Sequence, residues 1–213
     1  MKVSASILSA DFANLASELN LLEKYHADAV HIDVMDGVFV QNLTIGCDVI
    51  SAMRKYSNLT FDTHLMIANP QPYIEKFANA GSDIITIHQE ALGIKTKDVL
   101  LKIKSLGKKC GISIKPSTNI AEIEDLLHIV DLILIMTVEP GLGGQKFLEN
   151  QIEKIVNARQ MIDKSGYNIQ LSVDGGINDI TGKICADIGV NMLVSGSYIF
   201  KDLGKNIKIL QNL

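Results

Sequence analysis

The stretch Val30-His31-Ile32-Asp33-Val34-Met35-Asp36-Gly37 decides how the chain is read. Side chains alternate faces along an extended strand. Val30, Ile32 and Val34 therefore share one aliphatic face, and His31 and Asp33 share the other. Asp36-Gly37 then turns the chain. An ionised carboxylate among aliphatic residues is costly unless something pairs with it. Two arrangements meet that need: a His–Asp hydrogen bond inside a core, or a bound cation. Taken alone, the stretch leaves both open.

Outward from this strand, short β-rich runs alternate with amphipathic stretches from end to end. Strands are predicted at Lys2–Leu8, Ala29–Met35, Thr60–Ile67, Ile84–His88, Cys110–Ile114, Leu132–Val138, Ile169–Val173 and Met192–Ser195. Helices are predicted at Phe12–Tyr25, Cys47–Tyr56, Pro72–Ala80, Thr96–Leu106, Ile120–His128, Leu148–Lys164, Asp179–Asp187 and Lys205–Leu210. Leu15, Leu19 and Leu22 keep helical spacing, Pro72 suits a first turn, and Gly81, Gly107, Gly166 and Gly189 stop their helices. The strands are mostly short apolar runs, as expected when both faces are covered. Eight such units over ~200–250 residues suit a closed (β/α)₈ barrel of the TIM type. A doubly wound open sheet is the alternative, but the first βα turn, Ser9-Ala10-Asp11, lacks a dinucleotide or phosphate fingerprint. No linker breaks the pattern, so residues 1–213 are expected to form a single catalytic domain.

Bulk properties narrow the function. The 213 residues are 47% hydrophobic and 21% charged, with a net charge of −4. Lysine and arginine are scattered, which argues against nucleic acid and anionic membranes as partners. Apolar runs are too short to span a bilayer, and the N-terminal residues do not form a signal-peptide pattern. A cytoplasmic location is expected. Cys47, Cys110 and Cys185 lie far apart, with no C-x-x-C motif, and read as reduced, at least partly buried thiols.

Barrel active sites lie at the C-terminal ends of the strands. There the chain places Ser6, His31, Asp33, His64, His88 with Glu90, and Asp174. Each alone reads as a satisfied core histidine or a strand-end aspartate. Together, His31, Asp33, His64 and Asp174 are a plausible shell for one divalent metal cation, Zn²⁺, Fe²⁺ or Mn²⁺. Asp62 either orients a ligating histidine or makes an ordinary strand hydrogen bond. Glycine-rich turns follow strands six to eight: Gly141-Leu142-Gly143-Gly144, Gly175-Gly176 and Gly196-Ser197. Three such turns on adjacent strands suggest a phosphate site, with Ser197-Tyr198-Ile199-Phe200 as a short extra helix. Met35, Met66 and Met136 share the inward parity, as a collar over the site or as gap-filling core.

The segments Ser6-Ile7-Leu8-Ser9-Ala10-Asp11, His31 to Gly37, His64-Leu65-Met66, Thr137 to Gln145 and Val173-Asp174-Gly175-Gly176 resemble the ribulose-phosphate 3-epimerase family. The resemblance covers essentially the whole chain. It implies a metal-dependent isomerase on a ribulose-phosphate-binding barrel, interconverting D-ribulose 5-phosphate and D-xylulose 5-phosphate in the pentose phosphate pathway. It further implies that His31, Asp33, His64 and Asp174 bind the metal and that Asp33 and Asp174 form the acid/base pair. Ser6, His64, Gly141, Leu142, Gly143, Gly144, Asp174, Gly175, Gly176, Gly196 and Ser197 would contact the sugar phosphate. A homo-oligomer is also expected. Ala5, Val38, Gln41, Gln89 and Leu142 depart from the family pattern, and none is a proposed metal ligand. The rival functions are a hexulose-phosphate (D-allulose 6-phosphate) 3-epimerase, a decarboxylase or aldolase on the same barrel, and a non-catalytic sugar-phosphate binder. Lys115 is the only strand-end lysine placed for a Schiff base.

Overall fold

The alternation of strands and helices closes on itself. The computed structural model describes residues Met1–Leu213. Its strands are β1 (Lys2–Ser6), β2 (Ala29–Met35), β3 (Thr60–Met66), β4 (Ile84–His88), β5 (Lys109–Ile114), β6 (Leu132–Met136), β7 (Gln170–Asp174) and β8 (Met192–Ser195). They pair in parallel in chain order, and β8 returns to β1 with Lys2 opposite Met192 and Ala5 opposite Ser195. No edge is left free, so the open-sheet alternative falls. The helices are α1 (Leu15–Lys24), α2 (Cys47–Arg54), α3 (Ile74–Ala80), α4 (Gln89–Leu92), α5 (Thr96–Ser105), α6 (Ile152–Ser165), α7 (Asp179–Ile188) and α8 (Leu203–Gln211). None is long and apolar enough to cross a membrane.

One predicted helix differs in kind. Residues Ile120–Leu126 form 3₁₀ turns, not an α-helix. Within this stretch Ile123 and Leu126 are buried and Ile120 is half-buried, three positions apart. Predicted helices at Phe12, Pro72 and Leu148 also begin with 3₁₀ turns, at Phe12–Asn14, Gln71–Tyr73 and Glu149–Gln151, before α1, α3 and α6. Strand β1 stops at Ser6, where Ile7–Ser9 tightens into a 3₁₀ turn. The short helix α4 was not predicted.

Strand parity sorts the core. Outward residues, such as Val30, Ile32, Phe61, Ile85, Ile112, Ile133, Val173 and Leu193, join a 46-residue cluster beneath the helices. Inward residues Ile84, Leu132, Leu134, Met136, Met192 and Val194, with Val138 just beyond β6, form a separate seven-residue plug. Apart from Met35 and Met66 at the cavity end, the interior of β1–β4 beyond Ile84 is polar. Ser4, Ser6, His31, Asp33, Asp62, His64, Thr86 and His88, all on β1–β4, are buried there. The barrel is thus apolar on the β6–β8 side and ionisable on the β1–β4 side. Asp174 stands opposite, beyond Val173 on β7.

The N-terminal end of the barrel is pinned by a repeated device. Asp28, Asp83, Asp131 and Asn191 each immediately precede an even-numbered strand. Each accepts a backbone N–H at the start of the preceding odd strand: Val3 at 2.9 Å, Phe61 at 2.8 Å, Cys110 at 2.9 Å and Leu171 at 2.8 Å. The three made by aspartates are charge-assisted and so the stronger ones.

Candidate active site

Each ligand-type residue comes from a strand whose register fixes its height. Asp33 on β2 lies opposite His64 on β3, and His31 opposite Asp62. One donor atom each from His31, Asp33, His64 and Asp174 lie within 4.8 Å of one another. Asp33 Oδ1 is 3.4 Å from His31 Nε2 and 3.3 Å from His64 Nδ1. Asp174 Oδ2 is 3.8 Å from His31 Nε2 and 4.0 Å from His64 Nδ1. Both imidazoles are fully buried, whereas the Asp174 side chain is 17% exposed.

The surroundings orient these groups. His31 Nδ1 lies 2.7 Å from Asp62 Oδ2, which also accepts the Ser4 hydroxyl at 3.0 Å. A carboxylate partner places a His31 proton on Nδ1 and leaves Nε2 as the atom whose lone pair a cation would take. His31 Nε2 has no hydrogen-bond partner and points at the common centre. The Ser6 hydroxyl donates to Asp33 Oδ2 at 2.8 Å. The Thr44 hydroxyl donates to the Asp33 carbonyl at 2.6 Å and accepts Met35 N–H at 3.0 Å. Asp36 accepts Val38, Phe39 and Ala68 N–H groups, tying the loops after β2 and β3 together.

The electrostatics call for a positive charge at the centre. Burial opposes charging His31, but the carboxylates of Asp33 and Asp62 outweigh it and hold its pKa well above the usual range. Burial would likewise raise Asp33, yet His31 and His64 keep its carboxyl below the usual carboxylate range. Burial first, and then the Asp33 charge, push Asp174 up to about 6. Two carboxylates compete here for cationic character. A divalent ion satisfies both and also fills the unpaired position at His31 Nε2. The donor set of two imidazoles and two carboxylates fits one such ion.

Above this centre opens a small cavity. Ser6, Asp33, Gly141, Leu142, Gly143, Gly144, Asp174, Gly175, Gly176, Gly196 and Ser197 line it, with Met35, Met66 and Met136 on its apolar wall. No lysine or arginine lines it. The backbone N–H groups of Gly144, Gly176, Gly196 and Ser197 donate to no acceptor in the chain. Gly176 has a φ of +66°, and a Cβ there would sit 2.3 Å from the Phe147 backbone nitrogen. Only glycine lets these strands of backbone meet. The short helix foreseen at Ser197–Phe200 is a 3₁₀ turn at Ile199–Lys201. Asn42 Nδ2 donates to Gly141 O at 2.9 Å, joining the β2 and β6 loops over the mouth. Val38 and Leu142 stand on this rim, 76% and 66% exposed. Lys115 Nζ rests 4.0 Å from the centre of the Phe39 ring and does not line the cavity.

Spacing alone assigns His88 and Glu90 no role, and the structure ties both to the centre. His64 Nε2 lies 2.9 Å from His88 Nε2, and His88 Nδ1 lies 3.0 Å from Glu90 Oε2. Burial holds the His88 pKa down at about 4. The signal was the His88-x-Glu90 spacing across the end of β4, which has no meaning until His64 is seen beside it.

The family model described as the ribulose-phosphate 3 epimerase family matches residues 2–200. The chain is 44% identical to ribulose-phosphate 3-epimerase of Bacillus subtilis (strain 168), over 94% of this chain and 92% of that one. It is 43% identical to the chloroplastic ribulose-5-phosphate-3-epimerase of Arabidopsis thaliana, over 97% and 74% of the two chains. Among solved structures, 3-hexulose-6-phosphate synthase from Salmonella typhimurium superposes with a TM-score of 0.72 at 19% identity, covering 100% and 97% of the chains. KGPDC from Streptococcus mutans does so at 0.74 and 12%, covering 99% and 95%. At those identities the superpositions speak to the barrel alone, whereas the family model and the close relatives span nearly all of the sequence: the chain belongs to the ribulose-phosphate 3-epimerase family.

Proposed function

We propose that the protein interconverts D-ribulose 5-phosphate and D-xylulose 5-phosphate by moving a proton at C3, with Asp33 and Asp174 as the two acid/base groups. The observation that carries this reading is the convergence of two carboxylates, from β2 and β7, on one centre shared with two imidazoles. His31, Asp33, His64 and Asp174 would hold the cation, Zn²⁺, Fe²⁺ or Mn²⁺. When bound, it supplies Lewis-acid charge beside the substrate oxygens at C2 and C3.

Inversion at a carbon needs a proton taken from one face and returned to the other. Asp33 and Asp174 reach the centre from strands far apart around the barrel, which suits that division of labour. One carboxylate removes the C3 proton, leaving the enediolate of the sugar, and the other delivers a proton to the opposite face. The reverse reaction exchanges the roles. Their environments already differ: His31 and His64 favour the ionised form of Asp33, whereas burial and the Asp33 charge push Asp174 upward. Pairs of titratable groups with separated pKa values are the pattern of acid/base sites. Ser6 orients Asp33, and Asp62 holds His31 in its tautomer. The free N–H groups of Gly144, Gly176, Gly196 and Ser197 are suited to the phosphate oxygens. Met35, Met66 and Met136 give the reacting carbon an apolar wall.

Steady-state kinetics with metal-loaded protein tests the assignment. The expected result is a higher kcat/KM for D-ribulose 5-phosphate than for D-allulose 6-phosphate. Preference for the hexulose would reassign the substrate, and turnover of neither would remove the reading.

A further inference from the structure

Two histidines serve the proposed metal centre, and each must present a lone pair to it. For His31, the Asp62 carboxylate sets the tautomer. His64 has no carboxylate on its outer nitrogen; it has His88 instead. Two imidazoles facing each other through Nε2 atoms can share one proton either way, so something further must set its direction.

Glu90 does so. A carboxylate only accepts hydrogen bonds. Glu90 Oε1 accepts the Lys115 backbone N–H at 2.6 Å and the Thr118 hydroxyl. Glu90 Oε2 faces His88 Nδ1 at 3.0 Å, so the His88 proton sits on Nδ1. His88, a neutral ring, then presents a lone pair at Nε2. His64 Nε2, 2.9 Å away, must be the donor. That leaves Nδ1, the nitrogen 3.3 Å from Asp33 Oδ1, as the atom that can turn a lone pair to a cation once the cation replaces its contact with Asp33. We propose that Glu90 and His88 are positioning residues: through this directed chain they fix which nitrogen of His64 faces the metal centre. The inference rests on the metal reading above.

Glu90→Gln reverses the chain. A carboxamide has one acceptor oxygen, and the Lys115 N–H needs it, since that N–H cannot turn away. The side-chain NH₂ then faces His88 Nδ1. The His88 proton moves to Nε2, His64 Nε2 must accept it, and the His64 proton stands on Nδ1 in front of the cation. Mutations of residues that orient metal ligands typically weaken binding by about 10- to 100-fold.

The test combines Zn²⁺ affinity, from competition with a chelator, and long-range ¹H–¹⁵N correlation of the histidine rings in metal-free protein at pH 8. In the wild type, His64 Nε2 carries a proton. In Glu90→Gln that proton is lost from Nε2, and Zn²⁺ affinity falls by about 10- to 100-fold. Thr118→Val loosens the same Glu90 contact but leaves the carboxylate on His88, so its affinity stays within about threefold of wild type, well short of that effect. An unchanged affinity in Glu90→Gln, or an equal loss in Thr118→Val, overturns the proposal. A wild-type spectrum with no proton on His64 Nε2 overturns it without any variant. Failure of the wild type to bind Zn²⁺, Fe²⁺ or Mn²⁺ overturns the metal reading instead, and the ring spectra still report whether the chain is directed as described.

Discussion

Replacing Asp174 with asparagine separates the two tasks given to this residue. Asp174 Oδ2 lies 3.8 Å from His31 Nε2 and 4.0 Å from His64 Nδ1. Asparagine keeps a carbonyl oxygen at that position, so a donor remains for the cation. What disappears is a group that can carry a proton. Asp33 is untouched and keeps its Ser6 hydrogen bond at 2.8 Å. Positioned acid/base groups contribute about 10²- to 10⁴-fold in rate, roughly 3–5.5 kcal/mol of barrier. Inversion should fall by that factor. Proton exchange at C3 should survive in one epimer only, the one whose C3–H faces Asp33. The assay follows both epimers by ¹H NMR in D₂O with Asp174→Asn protein saturated in metal. Inversion within about tenfold of wild type would refute the two-carboxylate scheme, because it falls below the least that such a group supplies.

Other outcomes follow from the same structure. Asp131→Ala strips the N–H of Cys110 of its acceptor at the barrel floor. The loss should be about 1.5–3 kcal/mol in urea denaturation, since the Lys104 ion pair lost with it is exposed and adds little. Gly176→Ala forces a side chain into positive φ and against the Phe147 backbone. It should cost at least ~1–3 kcal/mol locally and raise KM for the sugar phosphate more than it lowers kcat. Burial pushes the Cys110 and Cys185 thiols up to about 12. At pH 8 neither should react with a disulfide reagent in the native protein, whereas both should do so in denaturant.

The alternation of apolar strands with helical spacing was enough to expect a closed barrel, because parallel strands buried on both faces leave continuous apolar runs. The inward parity of His31 and Asp33 was equally legible, since side-chain period two is fixed by the strand itself. Other features were not. The 3₁₀ turns at Ile120–Leu126 look helical in composition, and with Leu127 and Val130 also buried the apolar spacing fits an α-helix equally well. The pins at Asp28, Asp83, Asp131 and Asn191 were visible as an acidic or amide residue before every even strand, a regularity that gains meaning only once strand pairing is known. The His64–His88–Glu90 chain depends on two rings meeting across neighbouring strands at 2.9 Å, which sequence spacing cannot supply. The loop residue Asn42 reaches Gly141 across 99 positions for the same reason.

The central claim is that Asp33 and Asp174 move a proton at C3 beside a bound cation. Its most direct test is ¹H NMR of D-ribulose 5-phosphate in D₂O, with metal-loaded protein, with a chelator, and with Zn²⁺, Fe²⁺ or Mn²⁺ restored. The account predicts D-xylulose 5-phosphate carrying deuterium at C3, formation that stops on chelation, and recovery when the metal returns. A metal-loaded sample in which neither epimerisation nor C3 exchange occurs would contradict it.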